Sequence, residues 1–166
     1  MIPSTEFRTI PVNVAEPMDR TVQGMVLGSG DTIDLGTVDT TDEAQNTAVR
    51  VVWWRVRDMN GATEVSEIRV WLEGSGEFSG TNMWHMDITD TWTQGKTAVQ
   101  VETGSPGSAP IAEESSAAVM KTGGGPITGT GHDQTTQYIY LSGRIGVNEQ
   151  TGKKTGLKIR VKFQYQ

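Results

Sequence analysis

The side chains that can support acid–base or metal chemistry in this sequence are two histidines and several groups of carboxylates. There is no cysteine, so a thiol nucleophile, a disulfide and a thiolate metal site are all excluded. His132 precedes Asp133 in Gly129-Thr130-Gly131-His132-Asp133, a pairing that acid–base or metal sites use. Without a nucleophile motif such as G-x-S-x-G beside it, the pair reads as turn chemistry. His85 lies in Met83-Trp84-His85-Met86-Asp87, inside strand-like alternation, where a packed or surface imidazole is expected. The carboxylates Asp31 and Asp34, Asp39, Asp42 and Glu43, and Asp87 with Asp90 are close enough in sequence to suggest calcium. The alternating ligand pattern D-x-D-x-D-G is absent, however. Gly28-Ser29-Gly30-Asp31 lacks the lysine and the strand–helix setting of a phosphate loop and reads as a turn. The expectation is a non-enzymatic protein with no catalytic residue, no cofactor and no metal ligand.

Five tryptophans, at positions 53, 54, 71, 84 and 92, leave one binding chemistry open. Four fall in or beside strand-like alternation and are expected in the core. Trp92, in Asp90-Thr91-Trp92-Thr93-Gln94-Gly95, is the best candidate for exposure. Exposed rings would stack on sugars, so a carbohydrate-binding module is the alternative reading.

The chain has 166 residues and a net charge of −6, which suits one domain and opposes phosphate-backbone binding. Lys153, Lys154, Lys158, Arg160 and Lys162 gather near the C-terminus, and acids dominate 31–43. That asymmetry suits head-to-tail contact between copies or two solvated faces. Met1-Ile2-Pro3-Ser4-Thr5-Glu6 carries neither the basic nor the apolar region of a signal peptide, and no apolar run is long enough to span a membrane. Folding in a cytoplasm, with no membrane partner, is expected.

Period-two alternation dominates. Leu157, Ile159, Val161, Phe163 and Tyr165 interleave with polar residues and predict an antiparallel strand over 157–166 with that face buried. Val49–Val56 is apolar on both faces and reads as a central strand. Asn60-Gly61 predicts a hairpin returning through Val65–Leu72. Further strands are expected near 7–14, 21–27, 32–38, 82–89, 97–102, 137–142 and 144–147. The one stretch with helical character is 112–120, which reads equally as a loop plus a short strand. The fold class expected is all-β, an antiparallel β-sandwich or jelly roll over 19–166.

Two stretches look irregular. Residues 1–18 carry three prolines and read as an extended arm, and 103–135 is rich in glycine and proline and reads as a long insertion. Such segments are poorly suited to a core of their own, and their backbone groups need partners. They are therefore expected to pack on neighbouring copies, through Ile2, Phe7 and Ile10 in the arm and Ile111, Val119, Met120 and Ile127 in the loop. Trp92 is a further interface candidate.

Residues 67–92 join an apolar strand that ends Trp71-Leu72-Glu73-Gly74 to an aromatic-rich strand, Asn82-Met83-Trp84-His85-Met86. In this they resemble segments of small virion structural proteins of tailed bacteriophages. The resemblance carries no site residue across. It implies a capsid decoration (cement) protein, or a tail or fibre component, located in the virion after assembly in the host cytoplasm. Its implied partners are the major capsid or another virion protein and copies of itself, a trimer being favoured.

Overall fold

The computed structural model describes residues 1–28, 30–73, 82–105 and 126–166, and the backbone of 118–119. The chain is all-β, with antiparallel sheets and, among the described residues, one short helix. Its strands are β1 (Ser4–Ile10), β2 (Met25–Leu27), β3 (Gln45–Asn46), β4 (Arg50–Asp58), β5 (Val65–Glu73), β6 (Met83–Thr89), β7 (Ala118–Val119), β8 (Tyr138–Ile145) and β9 (Lys158–Tyr165). Helix α1 covers Ala98–Gly104, and His132–Gln134 form a single 3-10 turn.

The large sheet runs β2-β1-β4-β8-β6. Strand β3 pairs with β8 at Arg144 and Ile145, on the same edge as β4, because β6 fills the opposite edge from Tyr138 to Arg144. The small sheet runs β7-β5-β9. Between them lies one hydrophobic core: Val52, Trp54, Val56, Trp84, Met86, Ile139 and Leu141 from the large sheet meet Val65, Ile68, Val70 and Leu72 from the small one. At one point the packing depends on a missing side chain. Gly143 stands opposite Trp84 in the register, and a Cβ there would lie 2.5 Å from the indole ring.

Asn60 (φ 50°) and Gly61 (φ 87°) form the expected tight turn, closed by Ala62 N–H donating to Met59 C=O at 2.9 Å. The strands it joins do not pair. Both edges of β4 are taken, by β1 and by β8, so the chain turns a corner and β5 enters the other sheet to pair with β9. The hairpin expectation is corrected on this point. The C-terminal strand has the predicted alternation, but its apolar face is half-buried rather than buried, and Tyr165 is exposed, because β9 is an edge strand.

Three other expectations change. Residues 97–102 are helical rather than a strand: Thr97 and Gln100 form a reciprocal capping box that starts α1. Residues 32–38 make no strand, although Ile33, Leu35 and Val38 still pack on the core. The two strands expected at 137–142 and 144–147 are one, β8. Within 112–120, read equally as helix or as loop plus short strand, the described part, Ala118–Val119, is strand.

The arm is not an arm. Residues 4–10 are β1, inside the large sheet of their own chain, because Phe7 supplies core and the strand satisfies the free edge of β4. The 103–135 stretch likewise returns to its own core where it is described. Ile127 is fully buried and exchanges two hydrogen bonds with Val65, at 2.8 and 2.9 Å.

Replacing Gly143 with alanine forces the Trp84 ring out of its seat. It is expected to destabilise the fold by about 1–3 kcal/mol, visible as a lowered midpoint in thermal or urea unfolding with unchanged strand content.

Candidate functional site

The outer face of the large sheet carries the groups of greatest chemical interest. Alternation sends Glu6, Arg8 and Ile10 of β1 outward, with Val51, Trp53, Arg55 and Arg57 of β4, Tyr138 and Tyr140 of β8, and His85 and Asp87 of β6. This face is covered, not open. Its apolar part, Val49, Val51, Trp53, Tyr138 and Tyr140, packs against Val101 of α1 and against Val12, Trp92 and Ala98.

At one end Glu6, buried on β1, receives three guanidinium groups: Arg8 Nε at 2.7 Å, Arg57 Nε at 3.3 Å and Arg55 Nη1 at 3.7 Å. Two of those arginines also hold down the turn at 20–24. Arg8 Nη1 donates to the carbonyls of Val22, Gln23 and Gly24 at 3.1, 3.3 and 3.3 Å, and Arg55 Nη1 donates to the carbonyl of Thr21. Trp53 Nε1 adds a bond to the carbonyl of Arg20 at 2.9 Å. The turn thus lies with its carbonyls toward a cationic floor.

In the middle, two tyrosines carry similar sets of partners. The Tyr138 hydroxyl donates to Glu16 Oε1 at 3.2 Å, and the Arg20 guanidinium lies 5.0 Å from the ring centroid. The Tyr140 hydroxyl accepts from Thr93 N–H at 2.8 Å, and Lys96 Nζ stands 4.4 Å over its ring while pairing with Asp87. Trp92 packs edge-on to Tyr138, 5.2 Å between centroids, and donates from Nε1 to Val14 C=O at 3.2 Å. Burial pushes the Tyr138 phenol up to about 12, with the Glu16 carboxylate adding to the rise and Arg20 opposing it. Burial raises Tyr140 as well. Cation–π contact and ion pairing here fasten residues 12–24 and 92–101 to the sheet.

The two histidines have different neighbours. His85 is 4 % exposed on β6, opposite Ser142, and neither ring nitrogen has a hydrogen-bond partner among the described residues. His132 lies at the surface and accepts from Arg20 N–H at Nδ1, 2.7 Å away. The acidic residues mostly serve their own turns: Asp31 accepts from Gly28 N–H, Asp34 from Gly36 N–H and Asp39 from Thr41 N–H. Among the described residues no three His, Asp or Glu side chains come together as a set able to hold a metal ion.

The expected interface residues have mostly structural places. Ile2 is exposed. Phe7 and Ile127 belong to the core between the sheets, and Ile10 and Trp92 pack in the outer layer, because both segments fold onto their own chain. Val119 is known only as backbone, paired with Arg69, and Ile111 and Met120 lie outside the described residues. Trp53, Trp54, Trp71 and Trp84 are buried. Beside Ile2, the large apolar side chains that face solvent among the described residues include Met18, Val22, Met25 and Val26. The predicted strand at 21–27 covers Val22, Met25 and Val26 but does not announce their exposure.

No protein-family model, curated protein or solved structure matches this chain.

Two outcomes follow from the outer layer. Replacing Asp87 with asparagine leaves Lys96 charged in a dry site and is expected to cost about 3–5 kcal/mol. The double change Asp87→Leu with Lys96→Met should recover most of that loss in the same unfolding assay. Tyr138 ionises near the ordinary 10.0 in the unfolded chain but near about 12 in the fold. Its contribution to stability is therefore whole below pH 10 and is lost as pH rises toward 12. Phenolate absorbance together with alkaline melting curves checks this, and Tyr138→Phe should flatten the loss.

Proposed function

We propose that this chain is a non-enzymatic structural protein of a virion, a capsid decoration protein that assembles with copies of itself and with the shell. The observation that carries the reading is the β2 edge. Edge strands are normally blunted by charge, proline or a covering segment. Strand β9, at the end of the small sheet, follows that rule with Lys158, Arg160 and Lys162. Strand β2 does not: Met25-Val26-Leu27 carries no charge, Met25 is 61 % exposed and Val26 42 %. Met18 and Val22, earlier in the same segment, are exposed as well. Apolar side chains exposed on the strand that ends its sheet favour association with another chain.

The outer layer supports the same reading. Its carboxylates, cations and phenols are largely engaged with one another or with backbone, which suits a rigid scaffold better than turnover. The resemblance of residues 67–92 to tailed-phage virion proteins supplies the setting. The sugar-binding alternative draws less support, since Trp53, Trp54, Trp71 and Trp84 are buried and Trp92 donates to Val14 C=O.

Sedimentation velocity tests the proposal. The wild-type chain should form a closed oligomer, a trimer being favoured, and Met25→Lys with Val26→Lys should be monomeric with an unchanged melting temperature. A wild-type chain that remains monomeric, or a charged variant that assembles as before, removes the reading.

A further inference from the structure

The bond between Arg20 and His132 fixes a protonation state by its direction. Arg20 N–H is the donor and Nδ1 the acceptor, so the ring is neutral and carries its proton on Nε2. In the imidazolium both nitrogens are donors, and Nδ1 has no lone pair left for Arg20. Its new N–H has an acceptor close by: Asp19 Oδ1 lies 3.8 Å from Nδ1. Both side chains are nearly half exposed, 44 % for His132 and 47 % for Asp19, so water reaches the ring. Asp19 is available as an anion in acid, because the hydroxyl and N–H of Thr21 hold its carboxyl below the usual carboxylate range.

The charged groups around the ring come from three elements. Asp19 and Arg20 belong to the turn, Asp133 follows on the 3-10 turn itself, and Arg55 of β4 acts through Asp19. The turn at 19–24 is held elsewhere by donors that do not titrate in this range: Arg8, Arg55 and the indole N–H of Trp53. Among the described bonds that tie it to other elements, the one to His132 is the one whose acceptor can take up a proton.

We propose that His132 is a pH-operated fastener: its protonation exchanges the Arg20–His132 hydrogen bond for a His132–Asp19 ion pair and shifts the 19–24 turn. Val22, an exposed residue of that turn shortly before β2, moves with it. That last consequence rests on the assembly reading, whereas the exchange of partners does not.

Amide hydrogen exchange by NMR, corrected for intrinsic rates, reads the switch at Arg20. It is measured at about pH 7.5 and about pH 5.5, across the interval in which histidine side chains in general change charge. In the wild-type chain Arg20 protection should fall about two- to tenfold in acid, the range expected for one net hydrogen bond. In His132→Gln, whose side-chain oxygen accepts at either pH, protection should not change. In Asp19→Asn the wild-type response should move to lower pH, because the imidazolium loses its counter-charge. Equal protection at both pH values in the wild type, or the same fall in His132→Gln, overturns the proposal. Sedimentation of the wild type and His132→Gln at both pH values separates the two readings. A pH-dependent oligomer in the wild type alone carries the switch through to assembly. A wild-type oligomer indifferent to pH while Arg20 responds overturns the effect on assembly and leaves the fastener. A monomer at both pH values with a responsive Arg20 removes the assembly reading alone.

Discussion

Strand β4 has no solvent side over its first seven residues, and much of the architecture answers to that. Val52, Trp54 and Val56 point into the space between the sheets, while Val51 and Trp53 point the other way and are just as deeply buried. A strand apolar on both faces needs cover on both. The small sheet covers one face, and the segments 12–24 and 92–101 cover the other. Its edges are filled by β1 and β8, which draws the N-terminal residues into the sheet.

The covering layer on the outer face is short of regular structure, so polar contacts do what ladders do elsewhere. Backbone carbonyls at 20–24 would be costly to bury unpaired. Arg8, Arg55 and Trp53 pay that cost with donors from the sheet itself. The result is a layer whose geometry is set by charge-assisted bonds rather than by strand register. Desolvation of those charges is tolerable because each has a partner: Glu6 with its arginines, Asp87 with Lys96.

Local periodicity made the strands legible and left the pairing obscure. The run Val-Arg-Val-Val-Trp-Trp-Arg-Val announces a strand buried on both faces, and β4 is one. Asn60-Gly61 announces a turn of the right handedness, but whether its strands pair depends on partners far away in sequence. Val99 and Val101 mimic strand alternation, while the signal that decides for a helix is Thr97-x-x-Gln100, a capping box visible in the sequence. The outer layer was not legible at all. Glu6, Glu16, Arg20, Asp87 and Lys96 share no spacing, and only the fold brings them to one face. Met25 and Val26 look like core residues in sequence, and nothing local announces that they are exposed on the last strand of their sheet.

The corner at Asn60-Gly61 bears on how the chain folds. Because β4 and β5 go to different sheets, neither can be completed by its sequence neighbour. Val52 must find Ile139, and Leu72 must find Ile159. Closing such long loops is entropically expensive before any contact rewards it, and folds of this kind are slow. Strand β5 emerges early and waits for β9, the last strand in chain order, with Ile68, Val70 and Leu72 still unburied. A nascent chain at that stage offers an apolar strand with two open edges, so fast dilution or a holding chaperone should decide how much of it reaches the folded state.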